Sequence, residues 1–138
     1  MDKDIILNIK GSQRNVQGEG NSIELVTQGK LYKIDDVYYI EYDESELSGM
    51  EGTKTQISIR DDSITMERIG NHPSQFFFEK GKKYINSMST PLGPVVMEIY
   101  PTTINHKIND DQGKLDVRYQ LGIGGKHVSS NELKLFYK

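Results

Sequence analysis

An arginine turned into a β-structure among tyrosines is a ready anion receptor. Its planar guanidinium offers a rigid fork of N–H donors that matches a carboxylate or a phosphate. Neighbouring phenols and hydroxyls add neutral hydrogen-bonding groups. In this chain the residues that could assemble such a site are Arg68, Tyr38, Tyr42 and Tyr119, with Thr55 beside them. The alternative for Arg68 is a place at a rim, where it reaches water or pairs with a carboxylate such as Glu44, as long cationic side chains commonly do.

Other chemistry is less well supported. Glu41, Asp43, Glu44, Glu46 and Glu51 crowd one segment, and clustered oxygens suit hard cations. Yet the spacing has no Asp-x-Asp-x-Asp-Gly run, and a solvated, repulsive loop is expected instead. Within that loop Leu47 and Met50 are apolar, and Gly49 and Gly52 flank Met50. The glycines free the backbone to turn, so Leu47 and Met50 are expected to fold onto an open end of the structure. His72, His106 and His127 are scattered, with nothing local to make them converge on zinc. There is no cysteine, hence no disulfide, thiolate ligand or thiol nucleophile. No Gly-x-Ser-x-Gly elbow and no phosphate-binding glycine loop with a following helix occurs. Neither a metal, nor a cofactor, nor an enzymatic activity is expected.

The elements that must position these residues show a period of two. Ile5, Leu7 and Ile9 alternate with polar or outward positions, as do Ile57 and Ile59, and then Leu115, Val117, Tyr119, Leu121 and Ile123. Half-buried antiparallel strands have this pattern. Turn residues recur at Asp35 and Asp36, Asp61 and Asp62, Lys80 and Gly81, Asp110 to Gly113, and Gly124 and Gly125. A two-residue turn at Asp61 and Asp62 pairs Ile59 with Ile64 and Ile57 with Met66, which puts every apolar residue on one face. Thr55 and Arg68 then share that face. At Asp35 and Asp36 the same rule pairs Leu31 with Ile40 and turns Tyr38, Tyr42 and Glu44 inward. At Lys80 and Gly81 it sets Glu79 against Lys82 and Phe77 against Tyr84. The turn at Gly124 and Gly125 pairs Leu121 with Val128 but then misplaces Leu133, Leu135 and Tyr137. A bulge over Ser129 to Asn131 would restore the parity.

Sequential hairpins over 138 residues make one domain, residues 1–138. A meander of about eight to ten strands curls or closes, and closure removes exposed edges. The expected fold is therefore all-β, an antiparallel up-and-down β-barrel, with a two-sheet sandwich as the alternative. The net charge of -3 offers no overall basic field, so no nucleic-acid partner is expected. No apolar run approaches the roughly 20 residues of a membrane helix, and the N-terminus lacks the pattern of a signal peptide. A cytoplasmic monomer or weak homodimer is the expectation.

The stretches YDESELSGMEGTKT (42–55), GKKYINSMSTPLG (81–93) and GKLDVRYQLGIGGKHVSSNELKLFY (113–137) together resemble the bacterial YwiB-like family of uncharacterised proteins, in the family's order and over nearly the whole chain. The resemblance implies a calycin, lipocalin-like barrel. It implies no catalytic residue, because the family has no established activity. The chain has no tryptophan, so the Gly-x-Trp signature of true lipocalins is absent. The resulting functional expectation is a non-catalytic barrel that binds a small apolar or anionic ligand in its interior. The alternative is a barrel filled by its own side chains that acts as a protein-interaction module.

Overall fold

The computed structural model describes residues 2–45, 51–71, 73–90 and 93–138. They form one antiparallel sheet of ten strands, with no helix among the described residues. In chain order the strands are β1 (Asp2–Asn15), β2 (Gly20–Ile34), β3 (Val37–Asp43), β4 (Thr53–Ile59), β5 (Ser63–Gly70), β6 (Ser74–Glu79), β7 (Tyr84–Thr90), β8 (Gly93–Ile108), β9 (Gly113–Ile123) and β10 (Lys126–Tyr137). The spatial order is β6-β5-β4-β3-β2-β1-β10-β9-β8-β7.

The sheet curls until its two ends meet. Between β6 and β7 the Glu79–Lys82 bridge closes the hairpin, Phe77 and Tyr84 meet edge to face at 5.7 Å, and Asn86 Nδ2 donates to the Gln75 carbonyl at 2.5 Å. No longer ladder joins these two strands among the described residues, so the barrel is nearly closed.

The alternation delivers the core. Ile5, Leu7, Ile9, Leu31, Ile40, Ile57, Ile64, Leu115, Val117 and Leu135 are all buried on the inner side. Both hairpin registers hold: Ile59 faces Ile64 and Ile57 faces Met66, while Leu31 faces Ile40. The β2–β3 turn places Asp35 and Asp36 at φ 50° and 67°, the left-handed pair that a two-residue hairpin turn requires and that aspartate tolerates.

The bulge in β10 needs a correction. Pairing slips between His127 and Ser129, so the extra residue is Val128 rather than one of Ser129 to Asn131. Ser129 is fully buried and its hydroxyl accepts a hydrogen bond from Asn131 Nδ2 at 2.9 Å. It therefore keeps its place in the ladder, opposite Leu121, and the slack falls one residue earlier. A second bulge lies between Pro101 and Thr103 of β8.

Candidate functional site

Three inward rows run across β3, β4, β5 and β6. The deepest carries Tyr38, Ile59, Ile64 and Phe78, the next Ile40, Ile57, Met66 and Phe76. The last carries Tyr42, Thr55, Arg68 and Ser74. The period of two explains this order: once Ile57 and Met66 are pinned inward, Thr55 and Arg68 must follow two residues on. The apolar rows fill the barrel, and the polar row stands at one mouth.

Arg68 is the centre of that row. Its Nε is buried and has no hydrogen-bond partner, and no carboxylate among the described residues lies within ion-pair distance of its guanidinium. The guanidinium carbon lies 5.5 Å from the centroid of the Phe76 ring, within cation–π range. Thr55 Oγ1, fully buried next to it, makes no hydrogen bond of good geometry but lies close enough to Tyr42 and Glu44 to lower the pKa of both. Burial pushes the Tyr42 phenol well above its ordinary range and the Glu44 charge adds to this, with Arg68 opposing. Tyr119 is raised by burial against the same opposing charge. Both phenols are therefore neutral at physiological pH. Glu44 is raised chiefly by burial, with Arg68 pulling the other way.

The space in front of Arg68 is a cleft of about 230 Å³. Met66, Phe76 and Phe78 line one side, Tyr119 and Leu133 the other. Tyr119 packs on Phe78 at 4.9 Å between ring centres, and Phe76 stacks on Phe78 at 6.3 Å. Gln13, Asn21, Asn131 and the acidic Glu132 add to the lining, so Arg68 stands at the edge of a slot that is aromatic and aliphatic in one part and polar in the other. Arg68 also borders a second cleft of about 410 Å³ at the seam, with Ser74, Gln75, Asn86 and Ser87.

Arg68, Tyr42, Thr55 and Tyr119 thus come together as the residue pattern suggests. Tyr38 does not. It is four residues from Tyr42 along β3, about 14 Å at roughly 3.4 Å per residue, and its hydroxyl donates to Asp110 Oδ1 at 2.8 Å at the opposite end of the barrel. Inward parity fixes a face but not a depth, so Tyr38 was grouped with residues it cannot reach. The proposed rim pair of Arg68 with Glu44 is also not a contact, only a long-range interaction. Phe76 and Ser74 are not legible in the chain, because the turn after Gly70 has no two-residue signature that would extend the parity of β5 into β6. Leu47 and Met50, expected at a barrel mouth, lie outside the described residues, as does His72. Of the other histidines, His127 is exposed and His106 Nε2 sits 3.1 Å from the Asp61 carbonyl. Among the described residues no group of three His, Asp or Glu side chains is placed to hold a metal ion, and no helix is long and apolar enough to cross a membrane.

Fold and site together define an antiparallel barrel with an apolar core and an arginine at one mouth. The chain belongs to the DUF1934 family, a domain of unknown function, whose model matches residues 7–135. The crystal structure of the ywiB protein from Bacillus subtilis superposes with a TM-score of 0.81 at 18% identity, covering 97% of this chain and 91% of that one. At that identity the likeness concerns the fold alone. No curated protein is similar enough to count as a relative.

Proposed function

We propose that this protein is a non-catalytic barrel that binds a small ligand with an anionic head and a short apolar body. The head would sit on Arg68 and the body in the slot between Phe76, Phe78 and Tyr119. The observation that carries this reading is Arg68, which borders a cleft, has no carboxylate in ion-pair distance among the described residues and keeps its Nε buried and unpartnered. A buried donor without a partner costs about 1–3 kcal/mol. A carboxylate or phosphate that draws the guanidinium toward the cleft, so that Nε and a terminal nitrogen both reach it, offsets that cost with two charge-assisted bonds. The cleft of about 230 Å³ is smaller than the roughly 300–1,000 Å³ typical of drug-sized ligands, so a short molecule fits best. A guanidinium that stays charged and phenols held protonated are groups that fix a ligand rather than move its protons. A cytoplasmic setting accords with the lack of cysteine.

The test is native mass spectrometry of freshly purified protein, followed by NMR of the Arg68 Nε–H while small carboxylates and phosphates are added. A co-purifying acid, or a saturable shift of that resonance, is the expected result. A clean mass together with an unmoved resonance defeats the reading and favours the filled-barrel interaction module, which the tightly packed apolar rows already suit.

A further inference from the structure

The outer face of the sheet over β1, β10, β9 and β8 holds a feature with no part in the barrel mouth. Lys10 of β1 stands directly opposite Lys134 of β10, and Lys107 of β8 directly opposite Lys114 of β9. Like charges facing each other across a ladder destabilise it, and here two such pairs sit side by side. Lys10 and Lys134 each face a carboxylate across their other ladder, Glu24 and Asp116, and lie 3.9 Å from Glu24 and Glu132 respectively. Lys107 and Lys114 have no ion-pair partner among the described residues.

All four lysines border one shallow outer groove of about 670 Å³, and Phe136, 37% exposed, stands among them opposite Lys114. A second groove of about 660 Å³ continues past Arg118 to Arg14 and runs into the barrel mouth, with which it shares Gln13, Asn21, Tyr119 and Asn131. Together the two grooves carry six cations against three carboxylates. Tyr100, 46% exposed, extends the face opposite Gln120, about 20 Å from Phe136 at roughly 3.4 Å per residue. One of the three carboxylates, Asp116, lies between Lys134 and Asn105 in the ladder, and Arg118 is 3.8 Å from it. Burial and the neighbouring Glu132 raise its pKa from the ordinary carboxylate value, with Arg118 and Lys134 opposing.

We propose that this outer face binds single-stranded nucleic acid, with phosphates on the two lysine pairs and a base stacked on Phe136. The anion would relieve chiefly the Lys107–Lys114 pair, which has no carboxylate of its own among the described residues, and the ring supplies the flat surface that bases use on single-strand platforms. A membrane surface is the poorer fit, because the lysines line a groove into which a bilayer cannot follow. The net charge of -3 set the opposite expectation, but an overall charge does not describe a single face.

The test is fluorescence anisotropy of a labelled thymidylate oligomer of about twelve nucleotides against the intact chain, over a salt series starting near 50 mM. Binding that weakens steeply with salt is expected. The double variant Lys107→Glu, Lys114→Glu should lower affinity by about tenfold or more and flatten the log–log salt slope by about two. Phe136→Leu keeps an apolar side chain at that position but removes the ring. It should lower affinity several-fold, on the order of one lost stacking contact, with the slope unchanged. Arg68→Ala should leave this binding intact, so failure here and failure at the barrel mouth are separable. Melting curves confirm that each variant is folded. The proposal is overturned by absence of binding at low salt or by equal affinity of the lysine variant. It is equally overturned if Phe136→Leu has no effect while inorganic triphosphate competes as well as the oligomer. Co-sedimentation with phosphatidylserine vesicles without oligomer binding also ends it.

Discussion

The two ends of the barrel solve the same problem in opposite ways. At one end the polar groups are satisfied from within. Tyr137 is fully buried and its hydroxyl donates to the Asn109 carbonyl at 2.5 Å. Asn109 Oδ1 in turn accepts from the Asp111 and Gln112 amides at 2.9 Å, and Lys3 Nζ and the Tyr38 hydroxyl each tie down Asp110 at 2.8 Å. At the other end Arg68 Nε is buried with no partner. A closed end has its hydrogen bonds built in, whereas an end with an orphaned donor has unused binding capacity. This is why the proposed ligand site is the Arg68 mouth although tyrosines occur at both.

The contrast can be broken most severely at Tyr137. Tyr137→Ala removes the plug of the closed end and should cost about 3–5 kcal/mol of stability, read by urea unfolding. Gly113→Ala should cost about 1–3 kcal/mol by overpacking, since a Cβ there would run into the Tyr137 ring. At the open end Arg68→Met should leave stability level or slightly higher, because an unsatisfied buried donor disappears. Affinity for a small anion should fall by about 1.5–3 kcal/mol, measured by calorimetry. Tyr38→Phe removes an exposed hydrogen bond and should cost no more than about 1 kcal/mol, without altering anion binding. Loss of anion binding in that variant would mean that the two ends are not separate.

The smallest effect concerns pH. Glu44 is raised in the folded state, mainly by burial, so the folded protein holds that proton more tightly than the unfolded chain. Its contribution to stability is therefore fully present below the ordinary glutamate value and is lost as pH climbs through the folded value. Comparing urea midpoints at about pH 4 and about pH 7, the wild type should lose more stability than Glu44→Gln. Protonating Glu44 also frees the Arg68 charge, so anion affinity of the wild type should rise in acid and that of the variant should not.

The fold was largely legible in the chain because strand parity is a local property. Ile57, Ile59, Ile64 and Met66 declare one face, a two-residue turn fixes the register, and Thr55 and Arg68 follow without further information. The parity failure in β10 was legible too, since Leu133, Leu135 and Tyr137 could not face inward without a bulge. Its position was not. Whether Ser129 or Val128 leaves the ladder depends on the hydroxyl of Ser129 finding Asn131 inside, which is a matter of packing.

The alternation of side chains along each strand, together with the turns, was enough to determine an antiparallel meander that curls and which residues point inward. Only the tertiary structure decided how deep each inward residue lies and which ones meet, because depth depends on how ten strands are staggered around the barrel. That stagger sent Tyr38 to the closed end and Tyr42 to the mouth, and left Arg68 without a partner. It also placed Lys10 against Lys134 and Lys107 against Lys114, pairs far apart in the chain. The net charge averages such pairs away, whereas the ladder brings them face to face.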